Sequence, residues 1–315
     1  MLRSLFSKQP SFWKAWRQLL TSIYLKIYSL TLYVLRLNVS HPNANSPELV
    51  TLPAASFPGS TALFFRLRPG IILKAPVKVG EDEILRKRDN VDHYFSIEEQ
   101  ILGRLGKHPR IVRLLSSRTE FPTGLLFAEA SHGNLQSFLH QYGKEIAPSL
   151  RHKWFIQAIE CIVFIHSKDV IHSDLRPENF LVHGTLPPSL DLCLCDIGGS
   201  TCEDLQLSGG KLPNPGFFNP NDAWKATYAV DIFALGSVLY TIITGRWPFR
   251  ATTGQLNSLE EMEEYDAYVD GRFADGIFPE VEGLFGGEII RGCWTNKFSR
   301  AADIMASASQ LQIKY

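Results

Sequence analysis

Residues 170–181 read Val-Ile-His-Ser-Asp-Leu-Arg-Pro-Glu-Asn-Phe-Leu, an apolar frame holding His172, Asp174, Arg176 and Asn179 at fixed offsets. Asp174 and Asn179 are five residues apart, and a further acid follows in Asp196-Ile197-Gly198. Carboxylate and amide oxygens are hard donors of the kind Mg²⁺ takes alongside waters and phosphate oxygens. A guanidinium between them can make charged hydrogen bonds to an anion. A lone H-x-D would read as a polar turn between two apolar strands. Eight residues in frame, with an acid-x-Gly turn about twenty residues on, call for a chemical role.

The stretch resembles the catalytic loop and metal-binding turn of protein kinases, H-R-D-x-K-P-E-N followed by D-F-G. The resemblance implies transfer of the γ-phosphate of ATP to a Ser or Thr hydroxyl of a protein substrate. That reaction is catalysed mostly by positioning and charge neutralisation. Asp174 would orient the acceptor hydroxyl and take its proton, and Asn179 and Asp196 would hold Mg²⁺. Arg176 stands where serine/threonine kinases usually carry Lys and would steady the transferred phosphoryl group. Pro177-Glu178 favours serine/threonine over tyrosine kinases.

Such a loop needs elements to position it. Gly59–Leu67 and Gly70–Leu73 read as strands joined at Arg68-Pro69-Gly70, the second leading into Ile71-Ile72-Leu73-Lys74, which is similar to the V-A-I-K strand of kinases. Alone, Lys74 would be an exposed lysine at a strand end. In the family frame it binds the α- and β-phosphates. Asp92–Leu105 reads as a helix with Phe95, Ile97, Ile101, Leu102 and Leu105 apolar. Glu98 falls in the frame of the glutamate on the family's αC helix that pairs with the lysine, and Glu99 is its neighbour. Leu125–Ala130 reads as the strand leaving the small lobe, so adenine would meet hinge backbone near Ala128 and Ala130. Leu150–His166 reads as a buried helix under the loop. Tyr228–Phe249 resembles the central large-lobe helix, with Asp231 accepting backbone hydrogen bonds from the loop. Gly292-Cys293-Trp294 and Arg300 resemble the end of the fold. The expectation is an α+β, two-lobed protein-kinase-like fold. A small antiparallel β-sheet lobe with helix αC would span about 55–128 and a larger helical lobe about 129–315.

The chain departs from the family at four points. Phe57–Ala62 keeps only Gly59 where the glycine-rich loop has three glycines, which implies poorer backbone approach to phosphates. Ser173 replaces the Arg that normally meets a phosphate on the activation segment, residues 196–222 here. Ile197 replaces the Phe of D-F-G. Asn219-Pro220-Asn221 stands at A-P-E, so a pair with Arg300 is lost unless Asp222 substitutes. These keep a nucleotide-binding pseudokinase or scaffold open as the alternative. H-x-D-L-x-x-x-N is also similar to aminoglycoside and choline phosphotransferases and to the atypical kinase of the KEOPS complex, but the Asp231–Phe249 helix and the Cys293-Trp294 end argue against both. Ser200, Thr201 and Ser208 are candidate phosphorylation sites in a loop where small polar residues are common.

Composition adds boundaries. With 45% hydrophobic and 20% charged residues, the 315-residue chain can bury an ample core. A formal net charge of zero gives no reason to expect nucleic acid as a partner. Six of the 32 bases precede Glu48 with no acid among them, leaving 26 bases against 32 acids in the remainder. Residues 1–54 therefore read as a basic, apolar N-terminal segment and linker. Within it, residues 12–37 could lie on a membrane, target an organelle, anchor the chain or simply pack on the domain. Lys26 in the middle of Leu19–Leu35 weighs against a span. Five cysteines without a C-x-x-C pair suit a reducing compartment, so cytoplasmic placement is expected, with membrane association or organelle targeting as the alternatives. Cys193 and Cys195 read as a buried strand, with a metal site including Cys202 as the other reading.

Overall fold

Apolar residues recur along Ala62–Arg68 and Ile71–Pro76, and Pro69-Gly70 between them reverses the chain, Gly70 taking φ +85° where a side chain would be strained. In the computed structural model these are strands β2 and β3. The structure describes residues 50–51, 62–76, 85–120, 122–185, 189–210, 214–222, 225–252, 256 and 258–311. Residues 12–37 and Gly59 lie outside the described residues, whereas Val50–Thr51, within the segment read as linker, forms a strand.

The small lobe is a five-stranded antiparallel sheet in the order β1 (Val50–Thr51), β2, β3, β5 (Gly124–Ala128), β4 (Leu114–Arg118). Lys74 pairs with Phe64 on one side and Leu125 on the other, in the middle of the sheet. Helix α1 (Leu85–Leu105) crosses it. Its buried stripe is Ile97, Ile101, Leu102 and Leu105, the i, i+4 spacing of one helix face. The helix begins seven residues before Asp92, because Leu85–Val91 contains no Pro or Gly to stop it and is rich in Arg, Lys and Leu.

The large lobe is helical: α2 (Leu135–Tyr142), α3 (Pro148–His166), α4 (Tyr228–Thr244), α5 (Leu259–Ala274), α6 (Gly287–Trp294) and α7 (Ala301–Ser309). Asn134 caps α2 by accepting the Ser137 amide, and Ser258 caps α5 by accepting that of Glu261. Helix α4 is apolar on all sides, and its run from Asp231 to Ile242 is buried, the signature of a central core helix. It ends at Gly245, φ +77°, a left-handed cap well short of Phe249. Trp154, Ile159, Ile162 and Ile165 of α3 are fully buried, as the helical spacing predicts, whereas Ile156 and Phe164 of the same stripe are only half-buried and Phe155 is buried in addition.

Between α3 and α4 run β6 (Val170–Ile171), the hairpin β7 (Phe180–His183) and β8 (Asp191–Leu194), then β9 (Thr201–Cys202) and β10 (Leu207–Ser208). β7 pairs with β8, while β9 lies between β6 and β10. The architecture is the expected two-lobed α+β fold. Among the described residues no helix is long and apolar enough to cross a membrane, and no group of three or more His, Cys, Asp or Glu side chains could hold a metal. The cysteine metal site is therefore set aside: Cys202 is fully buried in β9, and Cys195 follows the end of β8.

Candidate active site

Three elements that are far apart in sequence meet at Lys74. Strand β3 delivers its ammonium, helix α1 brings Glu98, and the turn after β8 brings Asp196. Lys74 Nζ is 2.7 Å from Glu98 Oε2 and 2.7 Å from Asp196 Oδ1, with Phe95 beneath it at 5.8 Å. Burial alone would lower the Lys74 pKa, but the two carboxylates outweigh it and raise the pKa above its ordinary range. Glu98 is buried while Glu99 is exposed, so helix phase makes Glu98 the inward acid. Glu98 also accepts the Ile197 backbone N–H. A shallow recess, open to solvent, lies against Lys74, Glu98, Asp196 and Gly198.

The turn at Asp196 needs unusual backbone. Asp196 adopts φ +59°, a left-handed conformation that Asp tolerates better than most residues. At Gly198 a Cβ would come within 2.9 Å of the Tyr94 carbonyl on α1, so glycine lets the turn approach the helix. Ile197 is fully buried and fills the apolar place between them.

The loop of residues 172–179 is held from below and behind. Asp231, at the start of α4 and fully buried, accepts the backbone N–H of His172 and of Ser173, each at 2.8 Å, and the ring nitrogen of His166 lies 2.9 Å away. His172 Nε2 lies 3.0 Å from the Cys195 carbonyl, tying the loop to the acid turn. Asn179 donates its side-chain amide to the Asp174 carbonyl at 2.7 Å, and its backbone carbonyl accepts the Cys195 N–H at 2.9 Å. That second bond sets Asn179 beside Asp196. The Asn179 side-chain oxygen and the Asp196 carboxylate are hard oxygens of the kind that Mg²⁺ takes, one or two at a time, beside phosphates.

Asp174 is buried, and its Oδ1 accepts the Asn214 side-chain amide at 3.2 Å and faces Arg176 Nε at 3.9 Å. The Arg176 pKa is raised: burial works to lower it, but Asp174, Glu178 and Asp196 prevail. Glu178 is buried, and neither carboxylate oxygen has a hydrogen-bond partner; burial raises its pKa. At the hinge, the Ala128 amide is committed to the Arg113 carbonyl, so only its carbonyl can face a ligand, while the Ala130 carbonyl accepts the Gly133 amide at 3.5 Å. Glu129 between them is tied to the small sheet through Arg66 and the Gly70 amide.

Some expectations change. Arg300 pairs with Asp303 at 3.0 Å, three residues on at the start of α7, and Asp222 accepts the Asn219 amide instead. The segment that stands at A-P-E is held by the Asn221 amide on the Ala274 carbonyl, 3.0 Å. Ser200 is fully buried with its hydroxyl on the His172 carbonyl, so it is not an accessible phosphorylation site, whereas Ser208 is exposed. Ser173 takes φ +65° with a buried hydroxyl that has no partner. Sequence reasoning missed Asn214 and His166. Asn214 sits in a Pro- and Gly-flanked stretch that reads only as a turn, and both contacts join residues at least forty positions apart.

The protein kinase domain family matches residues 77–282. Serine/threonine-protein kinase PKH2 of Saccharomyces cerevisiae is 29% identical over 213 residues, covering 62% of this chain and 19% of that protein. Serine/threonine-protein kinase PDK1 of Cryptococcus neoformans var. grubii is 34% identical over 161 residues, 47% of this chain and 13% of that protein. Calcium/calmodulin-dependent protein kinase type 1 of Macrobrachium nipponense is 27% identical over 198 residues, 60% of this chain and 55% of that protein. The matched part is thus less than two thirds of each relative's length.

Proposed function

The chain belongs to the protein kinase family, and on that premise we propose that it transfers the γ-phosphate of ATP, with Mg²⁺, to a Ser or Thr hydroxyl of a protein substrate. The observation that carries this reading is the ion-pair chain from buried Glu98 through buried Lys74 to the partly exposed Asp196. One acid and one lysine are brought out of water together beside a second acid, Asp196, that stays partly exposed at the cleft, a costly arrangement that a merely structural site has little reason to keep.

In this reading Lys74, fixed between its two acids, presents its charge to the α- and β-phosphates. Hinge backbone at Ala128 and Ala130 receives adenine, with Gly59 covering the phosphates. Asn179 and Asp196 hold Mg²⁺, which when bound neutralises phosphate charge. Asp174 accepts the proton of the acceptor hydroxyl as the hydroxyl oxygen bonds to the γ-phosphorus and the phosphorus–oxygen bond to ADP breaks. Arg176 donates charged hydrogen bonds to the transferring oxygens. The unpaired cysteines support a reducing, cytoplasmic setting, and residues 12–37 are the candidate membrane contact.

The test is γ-phosphate transfer and nucleotide binding by the full chain, with Lys74→Met and Asp174→Asn as controls. Asp174→Asn should bind ATP as the parent does and transfer about 10²–10⁴-fold more slowly. Wild-type turnover in that variant sinks the assignment. The single glycine in Phe57–Ala62 favours a second reading, a nucleotide-binding scaffold. Mg²⁺-dependent binding without any transfer by the parent protein would select it.

A further inference from the structure

Asp196 meets Lys74 from a turn that has little bulk of its own. Ile197-Gly198-Gly199 follows it as one 3-10 turn. The Tyr94 carbonyl of α1 already crowds Gly198, and a second wall comes from further along the chain. A Cβ on Gly209 would lie 2.5 Å from the Gly198 carbonyl oxygen, 2.5 Å from the Gly199 carbonyl carbon and 2.6 Å from the Gly199 Cα. All three are backbone atoms, which cannot swing aside as a side chain does.

The β9–β10 hairpin brings Gly209 there. Strand β9 pairs with β6, Thr201 opposite Ile171, directly before the loop that starts at His172. Strand β10 returns along β9, Leu207 opposite Cys202 and Ser208 opposite Thr201. Gly209 then donates its N–H to the Ser200 carbonyl at 3.0 Å, and Ser200 donates its own to the Ile197 carbonyl at 3.0 Å. The hydrogen bonds thus run without a break from the hairpin into the acid turn. The hairpin also touches α1, where a ring nitrogen of His93 lies 3.1 Å from the Ser208 carbonyl and Arg104 pairs with Asp204 at 2.8 Å. Gly209 is buried although Ser208 and Gly210 on either side are exposed.

We infer that Gly209 is a positioning residue for Asp196: the β9–β10 hairpin lays its backbone on Gly198–Gly199 and keeps the acid turn against α1. This rests on the reading of Asp196 as a holder of Mg²⁺. Closely packed backbone does not yield gradually, so the turn leaves Lys74 only after Gly209 lifts. The hairpin is then a latch whose tip, Glu203–Gln206, is open to solvent. Two neighbouring glycines separate contact from backbone strain. Gly209 lies outside the left-handed region, so alanine there is penalised by contact alone. Gly210, φ +63°, has nothing within 4 Å of a Cβ, so alanine there is penalised by its backbone alone.

The experiment compares the full chain with Gly209→Ala and Gly210→Ala. It measures amide hydrogen exchange at residues 196–200, and ATP affinity with and without Mg²⁺. Gly209→Ala should quicken exchange at Ile197 and Ser200 and cut the gain in ATP affinity that Mg²⁺ brings by about tenfold or more. Gly210→Ala strains the chain without meeting the turn and should keep the parental Mg²⁺ gain. Parental exchange in Gly209→Ala, a parental Mg²⁺ gain in it, or equal effects of the two substitutions would each overturn the inference. If Gly209→Ala does not fold, the parent decides. Its Ile197 and Ser200 amides should exchange no faster than its Gly209 amide, because the turn opens only after the hairpin. Faster exchange at Ile197 beside a protected Gly209 overturns the latch. If Mg²⁺ brings the parent no gain in ATP affinity, the reading of Asp196 fails instead, and exchange at residues 196–200 alone decides whether Gly209 holds the turn.

Discussion

Asp231 Oδ1 accepts the backbone N–H of Ser173 at 2.8 Å, at the point where the loop bearing Asp174 turns left-handed with φ +65°. The neighbouring oxygen takes the His172 N–H, so one buried carboxylate satisfies two consecutive buried amides. Asp231→Ala leaves both without a partner, at about 1–3 kcal/mol for each orphaned group. Denaturant unfolding should show a loss of about 2–5 kcal/mol, and Asp231→Asn, which keeps one acceptor oxygen, should lose less. A loss below about 1 kcal/mol would mean that the loop keeps its shape without this support.

Glu98 and Glu99 are adjacent in sequence and opposite in fate. Glu98→Ala leaves Lys74 with Asp196 alone and should lower phosphate transfer about tenfold or more, with a higher KM for ATP. Glu99→Ala, on the exposed face, should change neither. Equal effects of the two substitutions in steady-state kinetics would remove Glu98 from its proposed place.

Glu178 provides a pH test. Burial raises its pKa in the folded protein above the ordinary 4.5. The folded state then holds a proton that the unfolded state has lost, so this group's contribution to stability is full below about pH 4.5 and declines as pH rises through the folded value. Glu178→Gln removes that decline. Thermal melts should coincide near pH 4 and separate in favour of the variant as pH rises. A variant that is less stable than the parent at pH 7.5 would show that the ionised carboxylate has found a compensating partner.

Cys193 is 7% exposed, and burial pushes its thiol up to about 12. Only the thiolate reacts quickly with alkylating agents. Iodoacetamide at pH 8 should leave Cys193 unmodified in the folded protein and label all five cysteines after unfolding, as read by mass spectrometry. Rapid labelling of Cys193 in native conditions would mean that β8 opens readily.

How much of this is legible in the sequence varies with the range of the interaction. The apolar stripe of α1 is a local pattern and its buried face is the one that the spacing indicates, whereas α3 is apolar on several sides and the spacing locates its buried residues only in part. The start of α1 is not legible in the same way, because the charged residues before Asp92 carry no apolar stripe, although they suit a helix. Arg300 pairs locally with Asp303 because its expected acidic partner is absent, a substitution visible in Asn219-Pro220-Asn221, while the replacement bond from Asn221 to the Ala274 carbonyl leaves no trace in the sequence.

By itself the sequence determined which residues are chemically equipped and which local elements carry them. Lys74 on a strand and Glu98 on a helix follow from short-range period, while the choice of Lys74, Glu98, Asp174, Asn179 and Asp196 as the chemical set is what the resemblance to the kinase motifs implies. Only the tertiary structure decided that Lys74 sits between Glu98 and Asp196, 24 and 122 positions away, and that Asn214 reaches Asp174 across 40. It also decided that Glu178 is left without a hydrogen-bond partner. The reason is physical. Helix and strand periods are set by backbone geometry over a few residues, whereas a single hydrogen bond between distant residues imposes no pattern on the chain between them. Its existence is fixed only when the core packs.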